Sequence, residues 1–399
     1  MSQHSSDALD KLLEMATEAG ASDVHLKAGS PPKARLRGGL TPFGTKSSLS
    51  AELLRNWALA MLGKERFELF LKELELDFAY QVPGVARFRV NAHHQRGAVG
   101  LIMRVVPSVV RSVVELQLPE VLHEICEEKR GLVLVTGATG SGKSTTLAAM
   151  IDHINSTASV NIVTIEDPVE FAFRDKRASI IQRELGADTN SFNRALRSAL
   201  RQDPDVILIG EMRDMETVEI AMKAAETGHL VLSTLHTNGA HETINRVIGV
   251  FPPHQQENIR RQLAQILRGV VSQRLVPTKD GVGRIAACEV LRSSLRIKEL
   301  IQDPERSHEI PESMEQTHVT LGTQTFDQAL TKLLKAGKIT YDTALAYANS
   351  PDDLALKISG VSGSSDGDYD KPNADQQAAQ NQPKAKPAPV DDGIERFGE

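Results

Sequence analysis

Cysteine is nearly missing: Cys126 and Cys288 stand alone in 399 residues, far apart and outside any CxxC spacing. Two such residues exclude a disulfide scaffold and an all-cysteine zinc site, and they fit a reducing, cytoplasmic setting. Aromatic residues make up only 4% of the chain, too few for the stacking platforms that hold single-stranded nucleic acid. No apolar run approaches ~18 residues, so no membrane span is expected. The chain opens Met-Ser-Gln-His-Ser-Ser-Asp, without a basic start or an apolar stretch, so no secretory signal is expected. Charge of one sign is lacking too. The net is −6, and −4 of it falls in residues 360–399, leaving the body close to neutral. That balance argues against a nucleic-acid partner.

What is present falls into stretches of different grammar. Residues 7–19 read as an amphipathic helix with Leu9, Leu12, Leu13 and Ala16 on one stripe. A strand pattern follows at Ser22–Leu26. A second helix opens at Ser50, and strand-like runs follow at Asp77–Gln81, Arg87–Asn91 and Val99–Val105. Together they predict a small α+β domain over 1–106, with a connection over 107–118 marked by Pro107. Next come unbroken apolar runs at Leu132–Val135, Ile162–Ile165, Val206–Ile209 and Leu230–Leu232. Helix patterns lie between them at Thr145–Ile154, Phe192–Arg201 and Met215–Glu226. Buried parallel strands read this way because helices cover both faces of the sheet, so residues 119–293 predict an α/β core. Residues 294–359 read as helical. Residues 360–399 are rich in Pro, Gly, Asp and Ser, cannot bury enough surface to offset chain entropy, and are expected to be disordered.

Gly137-Ala138-Thr139-Gly140-Ser141-Gly142-Lys143-Ser144 is a complete G-x-x-x-x-G-K-S phosphate loop between a predicted strand and a predicted helix, and these residues with Thr145 are expected to bind the nucleotide. Its glycines let backbone amides turn inward toward phosphates, and the helix end adds partial positive charge. Lys143 is expected to reach the β- and γ-phosphates of ATP, and the Ser144 hydroxyl to ligate Mg²⁺. Such a loop needs an acidic partner on a nearby strand. After Val206–Ile209, Gly210 fills the place an Asp usually takes, and Glu211 is the first carboxylate. Glu211 is therefore expected to polarise the attacking water and to contribute to the Mg²⁺ site. Glu166-Asp167-Pro168-Val169-Glu170 places three carboxylates at another strand end, with Glu170 a catalytic candidate and the individual roles open. His229 and His236 bracket a buried strand. A neutral imidazole at a strand end can donate to a phosphate, so His236 is a candidate in catalysis and His229 in nucleotide binding. Arg194, Arg197 and Arg201 share one helix face, which is either solvated or met by another subunit.

Taken together and in this order, the phosphate loop, the Glu166–Glu170 box, Gly210–Asp214 and the two boxes Glu226–His229 and Leu235–Thr237 resemble the secretion-type ATPases, above all the retraction ATPases of type IV pili. The resemblance covers about residues 7–358, including Ser22–His25 and Ala86–Asn91. It implies a PAS-like first domain, a RecA-like core and a homo-hexameric ring that hydrolyses ATP at subunit boundaries. It also implies arginines from the first domain approaching the nucleotide, at positions that look like Arg87, Arg89 and Arg104. Implied partners are an inner-membrane pilus platform protein and a paralogous retraction ATPase, with the ring held peripherally at the membrane. The tetracysteine insertion usual in extension and type II secretion relatives is missing, which favours the retraction branch. Ser294–Gln302 matches only part of the Ala-Ile-Arg-Asn-Leu-Ile-Arg-Glu element of retraction motors. Thr325–Leu330 and Ile339–Tyr341 look more like the accessory paralogue, so main and accessory roles both stand.

Overall fold

Residues 3–360 are described in a computed structural model of the chain, which is mixed α/β and built on two separate sheets. The first part contains α1 (Gln3–Glu18), β1 (Asp23–Lys27), β2 (Lys33–Leu36), β3 (Gly39–Pro42), α2 (Ala51–Glu73), β4 (Glu75–Val82), β5 (Ala86–Gln95) and β6 (Ala98–Val106). Its strands form a six-stranded antiparallel sheet in the order β3-β2-β1-β6-β5-β4. Alternation fixes which face is covered. Phe88, Val90 and Ala92 of β5 are fully buried, and they share one core with Leu9 and Leu13 of α1 and Leu54, Trp57 and Phe70 of α2. The other face carries polar side chains. β2 and β3 were not expected: a four-residue strand such as Gly39–Pro42, exposed throughout, has no apolar face to read.

The second sheet follows α3 (Val121–Cys126). It is built from β7 (Gly131–Thr136), α4 (Lys143–Thr157), β8 (Asn161–Glu166), β9 (Ser179–Glu184), α5 (Phe192–Ala199), β10 (Val206–Ile209), α6 (Met215–Glu226), β11 (Leu230–Leu235), α7 (Ala240–Gly249), α8 (Pro253–Ile266), β12 (Leu267–Pro277) and β13 (Arg284–Arg292). Strand order is β13-β12-β7-β11-β10-β8-β9, parallel except for the β13 edge. Every residue of β7, β10 and β11 is buried. Hydrophobic clusters occupy both faces, one joining α5 to α8 and the other joining α3 and α4.

Helices α9 (Leu295–Gln302), α10 (Ile310–Gln316), α11 (His318–Leu321), α12 (Phe326–Lys335) and α13 (Tyr341–Tyr347) follow. A second unit begins at Ser350 and contains α14 (Pro351–Ile358). The expectation of disorder concerns residues that, from 361 onward, lie outside those described. Among the described residues no helix is long and apolar enough to cross a membrane.

Candidate functional site

Parallel register brings the chemistry to one edge of the second sheet. Thr136 of β7 lies opposite Leu235 of β11, and Ile209 of β10 lies opposite both Ser233 and Ile165. The residues that follow each strand, Gly137, His236 and Gly210-Glu211, therefore emerge side by side, at the carboxyl edge where open α/β sheets place ligands.

The phosphate loop takes the shape its glycines allow. Gly137, Gly140 and Gly142 have φ of 142°, 80° and 94°. Helix α4 begins at Lys143, two residues before the expected start, and no side chain caps it. Its first amides are thus open to an anion. Lys143 is buried and its Nζ donates to the carbonyls of Gly137 (2.8 Å) and Ala138 (3.1 Å), which holds the ammonium over the loop. Burial lowers its pKa, with the nearby Glu211 carboxylate pulling the other way. Ser141 Oγ is buried and without a hydrogen-bond partner among the described residues. That orphaned hydroxyl and the uncapped helix end fit a phosphate-bearing ligand.

Glu211 is half-buried between two neighbours. Arg213 Nε donates to its Oε2 at 2.9 Å, and His236 Nε2 lies 3.3 Å from its Oε1. Asp214, next in the same box, is occupied elsewhere, since its carboxylate caps α6 by accepting from the Thr217 amide. The exposed Ser144 hydroxyl and the Glu211 carboxylate are oxygen donors of the kind Mg²⁺ takes. Beside the loop opens a cavity of about 770 Å³, lined by Gly142, Thr145, Thr146, Gln273, Leu275, Arg284, Lys338 and residues 115–118. The stretch read as a bare connection thus forms part of the cavity wall. Gln273 was missed altogether; the polar run Ser272-Gln273-Arg274 between the apolar pairs Val270-Val271 and Leu275-Val276 was the available signal.

The acidic box divides. Glu166 is buried, accepts from Thr164 Oγ1 (2.7 Å) and Gln182 Nε2 (3.1 Å), and burial raises its pKa against those bonds. Glu170 is exposed, and its side chain takes no hydrogen bond or ion pair among the described residues. His229 requires a correction. It precedes β11, beside Gly131 at the start of β7, and its Nδ1 bonds the Ala224 carbonyl at 2.9 Å. A six-residue strand of about 20 Å separates it from the phosphate loop, so it does not join the nucleotide site of its own chain.

The three arginines also divide. Arg87 Nη2 donates to Glu184 Oε2 of β9 at 2.8 Å, joining the two sheets. Arg89 and Arg104 are cross-strand partners on the polar face and both are exposed; Arg104 also holds the buried Asp23 at 2.9 Å. Arg197 pairs with Glu216 on the next helix.

The type II/IV secretion system protein family matches residues 102–340. The type IV pilus ATPase PilU of Pseudomonas aeruginosa is 42% identical, over 90% of this chain and 93% of that protein. The type IV pilus retraction ATPase PilT of the same organism is 44% identical, over 87% and 99%. A crystal structure of the pilus retraction motor PilT with bound ADP has a TM-score of 0.77 at 44% identity, over 87% of this chain and 98% of that one.

Proposed function

This chain belongs to the type II/IV secretion system protein family and, within it, to the type IV pilus ATPases, and from that premise we propose that it is the ATP-hydrolysing motor of pilus retraction. The observation that carries the reading is the meeting of the phosphate loop, Glu211 and His236 at one sheet edge beside a nucleotide-sized cavity. In this proposal the chain works as a homo-hexamer with a PAS-like domain over 1–106 and a connection over 107–118. A RecA-like core follows over 119–293, and helices over 294–359. It acts in the cytoplasm against an inner-membrane platform protein, with a paralogous ATPase as a further partner.

Loop amides and Lys143 would hold the triphosphate. Glu211, oriented by Arg213 and His236, would accept the proton of the attacking water and so sharpen it as a nucleophile. Mg²⁺ would be held by Ser144 and Glu211 and supplies charge neutralisation at the phosphates. Arg89 is the arginine most freely offered to a neighbouring subunit, since Arg87 is engaged by Glu184 and Arg104 by Asp23 within the chain, though Arg104 is the more exposed of those two. There it would stabilise charge developing in phosphoryl transfer. Contacts to the γ-phosphate hold a boundary closed in this scheme, and hydrolysis releases it.

Steady-state ATPase assay and ADP calorimetry test the reading together. Lys143→Ala should abolish binding, whereas Glu211→Gln should keep ADP binding and lose about 100-fold or more in turnover. Near-wild-type turnover of Glu211→Gln would refute the role given to that residue. Wild-type chain that binds ADP yet barely turns over would favour the accessory role. Deleting the gene should leave cells with excess pili that do not crawl; cells without pili would point to extension instead.

A further inference from the structure

We propose that Gln273 of β12 contacts the bound nucleotide directly, donating through its carboxamide N–H to a nucleotide oxygen; the inference rests on the ATPase reading. The residue is 4% exposed and lies on the cavity wall. Its Oε1 accepts from Thr146 Oγ1 of α4 at 2.7 Å, which fixes the orientation of the amide plane. Its Nε2 has no hydrogen-bond partner among the described residues and faces the loop. A Cβ placed on Gly142 would sit 2.8 Å from that nitrogen. The backbone of the same residue supports the other end of the loop, because a Cβ on Gly137 would sit 2.4 Å from the Gln273 carbonyl oxygen. Gln273 therefore brackets the phosphate loop, its main chain under the first glycine and its side chain beside the last.

The amide spends its acceptor on Thr146, so its N–H groups are left to whatever occupies the cavity. An oxygen-bearing ligand that enters the cavity beside Gly142, the last glycine of the phosphate loop, can take those N–H groups in place of water. A hydrogen bond to a charged acceptor is the stronger kind, so its loss is expected to show in affinity.

Full-length wild-type chain, Gln273→Leu and Gln273→Glu are compared by ADP calorimetry, steady-state ATPase assay and melting without nucleotide. Gln273→Leu should raise the Kd for ADP and the KM for ATP about tenfold, with kcat within about twofold of wild type. Its melting temperature should fall by a few degrees, because the buried Thr146 hydroxyl loses its acceptor, so Kd and KM are read well below the transition, where the variant is folded. Gln273→Glu should bind ADP more weakly still, because a carboxylate repels phosphate. A folded Gln273→Leu protein with the wild-type Kd overturns the proposal. If that variant does not fold, Gln273→Asn, which withdraws the donor by one methylene, is read by the same criterion. Wild-type chain that binds no ADP would sink the ATPase reading rather than this one.

Discussion

Single residues at this site do their work through neighbours that differ in burial. Glu289 of β13 is buried, and its Oε1 accepts from the Ala240 amide at 2.7 Å, anchoring the start of α7. Burial raises its carboxyl pKa, while the amide bond and Arg274 oppose the rise. A carboxyl with a raised native pKa holds its proton more tightly folded than unfolded. Its contribution to stability is full below the ordinary value of 4.5 and is lost as pH rises through the native value. Melting temperature should therefore fall as pH rises from about 5, and Glu289→Gln should flatten part of that fall. Glu166, raised for the same reason, accounts for another part. A variant whose melting profile keeps the wild-type slope would show that Glu289 does not titrate in that range. At this scale the sequence was legible where a backbone shape demands particular residues, as the phosphate loop does. It was illegible where a carboxylate's role depends on burial: Glu166 and Glu170 stand four apart in one box, yet one is enclosed and the other faces solvent.

Elements show the same divide. Strands enclosed on both faces, such as β7, β10 and β11, announce themselves as apolar runs. Strand β12 does not, because Ser272, Gln273 and Arg274 interrupt it, and those are the residues it lends to other parts of the structure. Ser272 shares a hydrogen bond with Thr136 of β7 at 2.8 Å. Arg274 points away from Gln273, as alternation requires. Its guanidinium lies 3.8 Å from the Phe326 ring centroid and donates to the Tyr347 carbonyl (2.6 Å) and Asn349 Oδ1 (2.7 Å). One side chain thus ties α12 and the end of α13 to the strand that also supports the phosphate loop. Arg274→Ala should cost about 2 kcal/mol in urea unfolding. Arg274→Lys should recover little of that, because an ammonium cannot stack on the ring and fork to two acceptors at once. Full recovery by lysine would reduce the arginine to a charge.

At the scale of the whole chain, the two sheets meet through an ion pair that neither sequence pattern nor periodicity signals, since its partners lie 97 residues apart. Arg87 and Glu184 are 23% and 7% exposed, and Val169 also donates to the same carboxylate at 3.3 Å. Arg87→Ala leaves an enclosed carboxylate without its cation, and urea unfolding should register a loss of about 2 kcal/mol. Arg89 should behave differently. Arg89 is exposed and forms no ion pair among the described residues, so Arg89→Ala should leave stability within about 0.5 kcal/mol of wild type while sharply lowering turnover. If Arg89 serves the neighbour's nucleotide, Arg89→Ala and Glu211→Gln damage opposite sides of a boundary. Mixing the two inactive proteins would then rebuild some intact boundaries, with Glu211 from one subunit facing Arg89 from the other. Turnover per subunit should rise in the mixture above that of either protein alone. Activity that never exceeds the weighted mean of the two would place Arg89 in its own subunit's site or outside catalysis.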